Sequence, residues 1–408
     1  MTSRGAPLGL LVLVAAIAPA ALHMPVPSLP LLAAVFAAPA GRVQLVLTLF
    51  LAGIAVGQLV YGPASDRFGR RPVLITGLAV FLFGTAVCGV AWSLPVLIAG
   101  RVIEAVGGCA GMVLGRAIVR DLFNRERSAS AIATITMAMS LAPSIAPAIG
   151  AYLAEWIGWR ADFALLGALG AAVLVLTAAR LEETHRSRGP ANLAAMRVSF
   201  ALLLRSPAFL GFVLTTAFTS ASWFTFLASA PYLLSEVLHK PPSTYGLMIL
   251  LPMAAYILGN AGVSRLSVAV GSARLLIVGL ALSLASGLML AVWCLVGLTP
   301  WALFVPMAIS SIGNGLSQPP AIAAGLSVYP RIAGAASGLL GFLQMMVAAL
   351  GTLLVGRLPQ DSVFSMVAVV VATLALALLF GVLALYGSGV VPHAARSARL
   401  GSEVARRP

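Results

Sequence analysis

The segment Gly57-Gln-Leu-Val-Tyr-Gly-Pro-Ala-Ser-Asp-Arg-Phe-Gly-Arg-Arg-Pro72 decides how the chain is read. It joins an apolar run at 43–63 to another at 72–91. Gly62 and Gly69 allow close backbone approach and unusual φ/ψ. Pro72 suits the first turn of the second run, where its missing N–H costs nothing. A loop that only carried positive charge would explain Arg67, Arg70 and Arg71, but not Asp66 or the ordered glycines. Asp66 stands near a helix end, where it can accept hydrogen bonds or pair with an arginine.

Outward from this loop the chain is overwhelmingly apolar. Of 408 residues, 61% are hydrophobic and 9% charged, against about 25% charged in soluble domains. Surface area limits how much apolar side chain a soluble fold can hide, so the solvent is lipid. A bilayer core takes about 20 apolar residues per helix. Charges and Pro/Gly clusters cut the sequence into spans at 8–32, 43–63, 72–91, 94–117, 129–153, 161–180, 207–232, 243–264, 274–295, 299–326, 333–355 and 363–388. The first run follows Arg4 and has small residues at Ala18–Ala21, the outline of a secretory signal peptide. Removing it would leave eleven spans and break the balance of the two halves. The expected fold is an all-α membrane protein with two pseudo-symmetric six-helix bundles, 1–181 and 206–390. A cytoplasmic linker at 182–205 joins them, and a tail follows at 391–408.

Net charge is +14. The charges lie in short gaps between apolar runs rather than in a basic soluble module, which excludes nucleic acid and points to anionic lipid. With the N-terminus placed inside, the inner segments hold twenty of the Lys/Arg residues. The outer ones hold four: Arg42, Arg160, Lys240 and Arg357. The positive-inside rule therefore places both termini in the cytoplasm. Cys88, Cys109 and Cys294 fall inside apolar runs without metal-ligand spacing, so no metal site is expected. Neither a Ser/His/Asp arrangement nor a phosphate loop supports an enzyme or an ATP-driven pump.

A faint repeat links the halves. Gly77 follows Gly69 by the same interval at which Gly279 follows Gly271, and Arg265 and Arg274 flank the second loop. The second copy lacks the aspartate. Parallel six-span repeats are a known transporter architecture.

The opening segment resembles the signature loop of the major facilitator superfamily, Gly-x-x-x-Asp-Arg-x-Gly-Arg-Arg/Lys. Its fuller string resembles the Bcr/CflA drug-resistance branch of twelve-span drug/proton antiporters. Arg101-Val-Ile-Glu-Ala-Val-Gly-Gly108 resembles that branch's span-4 motif, and Arg116-Ala-Ile-Val-Arg-Asp121 follows it. Leu141-Ala-Pro-Ser-Ile-Ala-Pro-Ala-Ile-Gly150 is similar to the span-5 antiporter motif, and Ala333-Gly-Ala-Ala-Ser-Gly-Leu339 is similar to span 11. The resemblance implies a multi-pass protein of the bacterial inner membrane that exports small, mostly apolar drugs or metabolites. A proton gradient would drive it, with no cofactor, and we expect a monomer. It also implies a gate-linked loop built from Gly62, Asp66, Arg67, Gly69, Arg70 and Arg71, with Asp121 as partner of Arg70 or Arg67.

Span 4 holds the sharpest departure. Arg101 and Glu104 lie three apart, on one helical face, and ionisable groups at membrane depth normally pair or face a wet cavity. The branch typically has Gln at the position of Glu104. In span 1 it typically has Asp at the position of His23, in the string His23-Met-Pro-Val-Pro-Ser-Leu-Pro30. The expectation is a relocated proton site, with Glu104 as carrier and His23 as a second titrating group. Against it stands a purely structural Arg101–Glu104 pair. In span 5, Pro143, Pro147 and Gly150 bend the helix and admit neighbours. In the second half Trp223, Tyr232, Tyr256, Asn260, Asn314, Gln318 and Gln344 are candidate lining residues for a substrate cavity, although amides in membrane helices also serve as interhelical glue. A narrow-specificity metabolite exporter, or an importer of the same fold, is the alternative function.

Overall fold

The computed structural model describes residues 8–122, 125–184, 193–359 and 362–387. Arg4, Arg186, Arg188, Arg396, Arg399, Arg406, Arg407 and the tail 391–408 lie outside these, as do the side chains of Arg125 and Arg127. The described residues form helices joined by short connections. They form α1 (Leu8–His23), α2 (Leu29–Val35), α3 (Ala40–Val43), α4 (Leu45–Phe68), α5 (Arg70–Gly89), α6 (Leu94–Leu122), α7 (Arg125–Trp156) and α8 (Arg160–Arg180). Then come α9 (Leu193–Leu204), α10 (Pro207–Tyr232), α11 (Pro242–Met248), α12 (Leu250–Val270), α13 (Ser272–Val296), α14 (Pro300–Ser327), α15 (Ala333–Arg357) and α16 (Val363–Gly387).

Among the described residues ten helical stretches are long and apolar enough to cross a bilayer, α1–α2, α3–α4 and α11–α12 each counting as one. The long helices α7 and α14 complete twelve. Helix α14 is less apolar because it carries Ser310, Ser311, Asn314, Ser317, Gln318 and three prolines. Pro25 and Pro27 break the first span into α1, a 3-10 turn at Val26–Ser28, and α2. Ser206 caps α10 by accepting from Phe209 N at 3.3 Å, and Thr299 caps α14 by accepting from Ala302 N at 3.1 Å. Trp92 and Trp156 are 76% and 75% exposed, and Trp301 joins them at the same end of the bundle. That is the placement of an interfacial aromatic belt.

The decisive loop is tighter than its sequence suggests. Helix α4 continues through Pro63 to Phe68, and α5 begins at Arg70, so Gly69 alone turns the chain, at φ 101° and ψ 155°. Only glycine occupies that region comfortably. Gly62, read above as a second loop glycine, lies inside α4 with nothing near its Cβ position. The apolar side chains before Asp66 carry the helix on past it. At the corner between α12 and α13, Gly271 repeats the turn at φ 88° and ψ 139°.

The repeat extends into the packing. A Cβ on Gly107 of α6 would strike Gly77 O and Phe81 N of α5; one on Gly313 of α14 would strike Gly279 O and Ser283 N of α13. Helices of each half are thus brought together by small residues at matching places. Helix α9 lays Leu203 against Phe209, Val213, Ala336, Leu339 and Leu340, so the linker helix packs on the second half.

The halves meet along three seams. Helices α4 and α15 run antiparallel, with Gly41 against Gly356, Thr48 Oγ1 2.8 Å from Thr352 Oγ1, and Gln58 against Gly341. Helix α11 sets Gly246 against Pro147, Ala148 and Ala151 of α7. Helix α10 meets the first span, where Tyr232 Oη donates to Leu29 O at 3.3 Å and the Phe224 ring lies 6.1 Å from His23.

Candidate functional site

Three groups of residues sit where movement between the halves would be felt. The first is the Gly69 corner. Because α5 starts immediately after it, the Arg70 side chain projects between the ends of α4 and α6. Its Nη1 donates to Asp66 Oδ1 at 2.5 Å and to Ser65 Oγ at 2.5 Å; its Nε donates to Asp121 Oδ2 at 3.1 Å. Its backbone N donates to Glu183 Oε1 at 2.9 Å, and Thr184 Oγ1 donates to Asp121 at 3.3 Å. Arg71 Nη2 reaches Ala178 O at 2.8 Å. Arg67 instead stacks over Phe68, so between the two arginines considered for Asp121 the structure selects Arg70. These contacts join the first half to Glu183 and Thr184 at the start of the linker, and none of them reaches the second half. The knot ties the ends of α4, α5, α6 and α8 into one body. Glu183 carries no motif and escapes a sequence reading.

Beside this knot lies a cavity of about 620 Å³. Gln58, Asp66, Arg70, Arg116 and Arg120 line it from the first half, Ala333, Gly334, Ala335, Ser337 and Gly338 of α15 from the second, and Met196, Ser199 and Phe200 from α9. Its wall therefore crosses from one half to the other on the face that carries the Gly69 corner. A smaller vestibule of about 390 Å³ lies on the opposite face, lined by Pro27, Pro30, Glu155, Glu236, Lys240 and Tyr245 among others.

The third group is buried at mid-bundle. Arg101 is 1% exposed and Glu104 not at all. Arg101 Nη1 donates to Glu104 Oε2 at 2.6 Å and to Ala21 O at 3.0 Å, while Thr85 Oγ1 donates to Glu104 Oε1 at 2.9 Å. The guanidinium stacks 3.9 Å from the Phe50 ring centroid. Both oxygens of Glu104 are thus taken. A second buried acid, unremarked in the sequence, stands nearby. Asp162 in the first turn of α8 accepts from Ser28 Oγ at 3.0 Å. His23 is not part of this group: its Nδ1–H donates to Pro19 O at 2.9 Å, and its ring faces the α10 seam.

The remaining candidates are spread through the seams. Pro143 and Pro147 lie within α7; Pro147 meets Gly246 across the halves, and Gly150 admits the Met24 carbonyl of the first span. Gln318 Nε2 donates to Thr219 Oγ1 at 3.3 Å, and Gln344 Nε2 to Ser220 Oγ at 2.7 Å, so both amides converge on α10. Asn314 accepts from Ser283 at 3.3 Å, a link between α13 and α14, and Asn260 donates to Tyr256 O one turn back in its own helix. Trp223 packs on Phe226, and Tyr232 on the first span. None of these seven lines the 620 Å³ cavity.

Residues 11–352 match the family model described as Major Facilitator Superfamily. The chain belongs to that superfamily. Several of its relatives within the superfamily are named as drug-resistance proteins. It is 31% identical over 322 residues to Multidrug resistance protein D of Escherichia coli K12, covering 78% of this chain and 80% of that one. It is 29% identical over 323 residues to a bicyclomycin resistance protein homolog of Haemophilus influenzae, covering 79% and 81%. The crystal structure of a D-xylose-proton symporter shares the fold, with TM-score 0.74 at 16% identity over 92% of this chain and 96% of that one. The major facilitator fold places two six-helix halves around a central path, and the three groups above lie along the seams between and within those halves. Among the described residues no cluster of His, Cys, Asp and Glu could hold a metal ion.

Proposed function

We propose that the protein is a proton-driven exporter of small, largely apolar compounds working by alternating access. The carrying observation is the 620 Å³ cavity. Its wall spans both halves on one face, while the α1–α10 and α7–α11 contacts and the Gly41–Gly356 and Thr48–Thr352 part of the α4–α15 seam join the halves toward the other. That is the geometry of one access state. The cavity face is the arginine-rich one, so the positive-inside rule makes it cytoplasmic, with both termini inside. The protein is a multi-pass membrane protein, here assigned to the bacterial inner membrane and to a monomer. The names of its resistance relatives favour export over import.

The knot around Arg70 holds the first half rigid while the second rocks against it. The buried Arg101–Glu104 pair is the only mid-bundle ion pair among the described residues, so proton coupling is assigned to the first half. The test is a drug-susceptibility panel in an efflux-deficient host, with and without a protonophore. Expression is expected to raise resistance to at least one apolar compound, and the protonophore to abolish the gain. No shift for any compound would overturn the drug-export reading in favour of a narrow metabolite transporter.

A further inference from the structure

Two complementary groups are left unpaired where the first span breaks. Asp162 is fully buried; Ser28 engages its Oδ2, while its Oδ1 has no partner. Arg101 Nε–H, also buried, has none either. The Arg101 guanidinium lies 6.0 Å from the ring of Phe163, the next residue after Asp162. No hydrogen bond joins Arg101 to Asp162 in this state. Glu104, by contrast, is saturated by Arg101 and Thr85.

Charge decides between the two acids. The cluster holds one guanidinium and two carboxyl groups. Glu104 already balances Arg101, so an ionised Asp162 leaves an uncompensated buried negative charge, and a protonated one leaves none. Other titratable groups do not offset it. Arg160, two residues before Asp162, turns away to Ala91 O at 2.9 Å and stacks on Trp159; helix α5 sets Cys88 against Gly100, α1 turns His23 toward Phe224, and α7 holds Glu155 at the vestibule rim, where it accepts from Ser243 N. Access is built in as well. Pro27 and Pro30 line the 390 Å³ vestibule, while Ser28 between them faces Asp162. The turn Val26–Ser28 thus stands between the vestibule and the carboxyl.

We propose that Asp162 binds and releases the transported proton, with the Ser28 turn as its gate and the self-balanced Arg101–Glu104 pair as a fixed neighbour. Vestibule water delivers the proton, and an O–H bond forms at Asp162 Oδ1 when the turn is displaced. Once the vestibule side has closed, that bond breaks, the proton passes to water of the open cavity, and Arg101 Nε–H turns to the freed Oδ1; the present structure, with the cavity open and the two groups unjoined, holds Asp162 before that release. One proton enters and one leaves per cycle. The assignment rests on the proton-driven reading above, and the test separates the two.

Purified protein in lipid is stepped in pH and followed by infrared difference spectroscopy. A titrating protonated-carboxyl C=O band is expected in wild type, moved to lower pH in Glu104→Gln because Asp162 then becomes the sole counter-ion of Arg101, shifted in Ser28→Ala and lost in Asp162→Asn. Proteoliposomes loaded with chloramphenicol as probe supply the second arm. Asp162→Asn is expected to keep chloramphenicol exchange, which also shows that it folds, and to lose accumulation driven by a pH gradient. A band that survives in Asp162→Asn, or gradient-driven accumulation by that variant at the wild-type level, overturns the assignment. Wild type that exchanges the probe but never accumulates it with a gradient overturns the proton-driven reading, and the assignment with it.

Discussion

The corner at Gly69 and the corner at Gly271 share a backbone and almost nothing else. Both glycines sit at positive φ between two long helices. Three residues before the first stands Asp66; three before the second stands Val268, 96% exposed. Arg70 follows the first and Ser272 the second. The same contrast runs through the interior. Gly107 and Gly313 occupy matching seats, and the residues six and three before them are Arg101 and Glu104 in one half, Met307 and Ser310 in the other. Small residues and corner glycines therefore build each half, and charge is added to one of them. Among the described residues the buried interior of the second half carries no charge, and its hydroxyls and amides bond one another, as Gln318 and Gln344 do to α10. It can move against the first without breaking an ion pair.

The strongest way to break this comparison is to make the first half resemble the second inside. Arg101→Met strands Glu104, a fully buried carboxylate left with Thr85 alone. Removing one partner of a buried pair costs about 3–5 kcal/mol. The double change Arg101→Met with Glu104→Ser copies the second half and removes the orphan. It should regain most of the lost stability, measured by unfolding in mixed micelles, yet not restore gradient-driven transport. A double variant as unstable as the single one would show that the two halves are not interchangeable scaffolds.

The corners come next. Gly69→Ala and Gly271→Ala each force a side chain into a backbone region that costs about 1–3 kcal/mol, so the two melting temperatures should fall alike. Only Gly69→Ala should also reduce transport, because only that corner places an arginine between two carboxylates. Equal loss of transport in both would give the second corner a role its neutral side chains do not suggest.

These positions also show what a sequence can and cannot say here. Apolar run length settles the spans, since nothing but lipid tolerates so much of it. The spacing of Arg101 and Glu104 announces a pair because helix geometry alone brings residues three apart together. Asp162 gives no such signal. Next to Arg160 at the start of a helix it reads as an ordinary first-turn acid, and only the fold carries Ser28, 134 residues away, onto it. Glu183 is hidden for the same reason, lying beyond α8 in a polar stretch. The amides of the second half are equally ambiguous in sequence. Whether an Asn or Gln lines a path or ties two helices depends on which hydroxyl faces it, and Asn314 faces Ser283.

A milder graft copies the second corner into the first. In Asp66→Val, Arg70 keeps Asp121 and Glu183, and the lost carboxylate was 55% exposed. An exposed pair of this kind contributes about 0–1 kcal/mol. Stability should barely change, whereas transport should fall clearly if Asp66 also works across the cavity it lines. Intact transport in folded protein would leave Asp66 with a static role.

The smallest effect belongs to Gly62. It sits inside α4 at an ordinary helical φ, with nothing within 4 Å of the place a Cβ would take, so an added methyl meets open space. A glycine in a helix costs about 0.5–1 kcal/mol relative to alanine through the freedom it loses on folding. Gly62→Ala should therefore raise the melting temperature slightly, the opposite sign from Gly69→Ala seven residues on. If Gly62→Ala instead lowered transport while stabilising the fold, the open space beside it would have to close on α15 or α9 in the other access state. The glycine would then mark where the second half arrives, and the contrast between the corners would extend to the cavity between them.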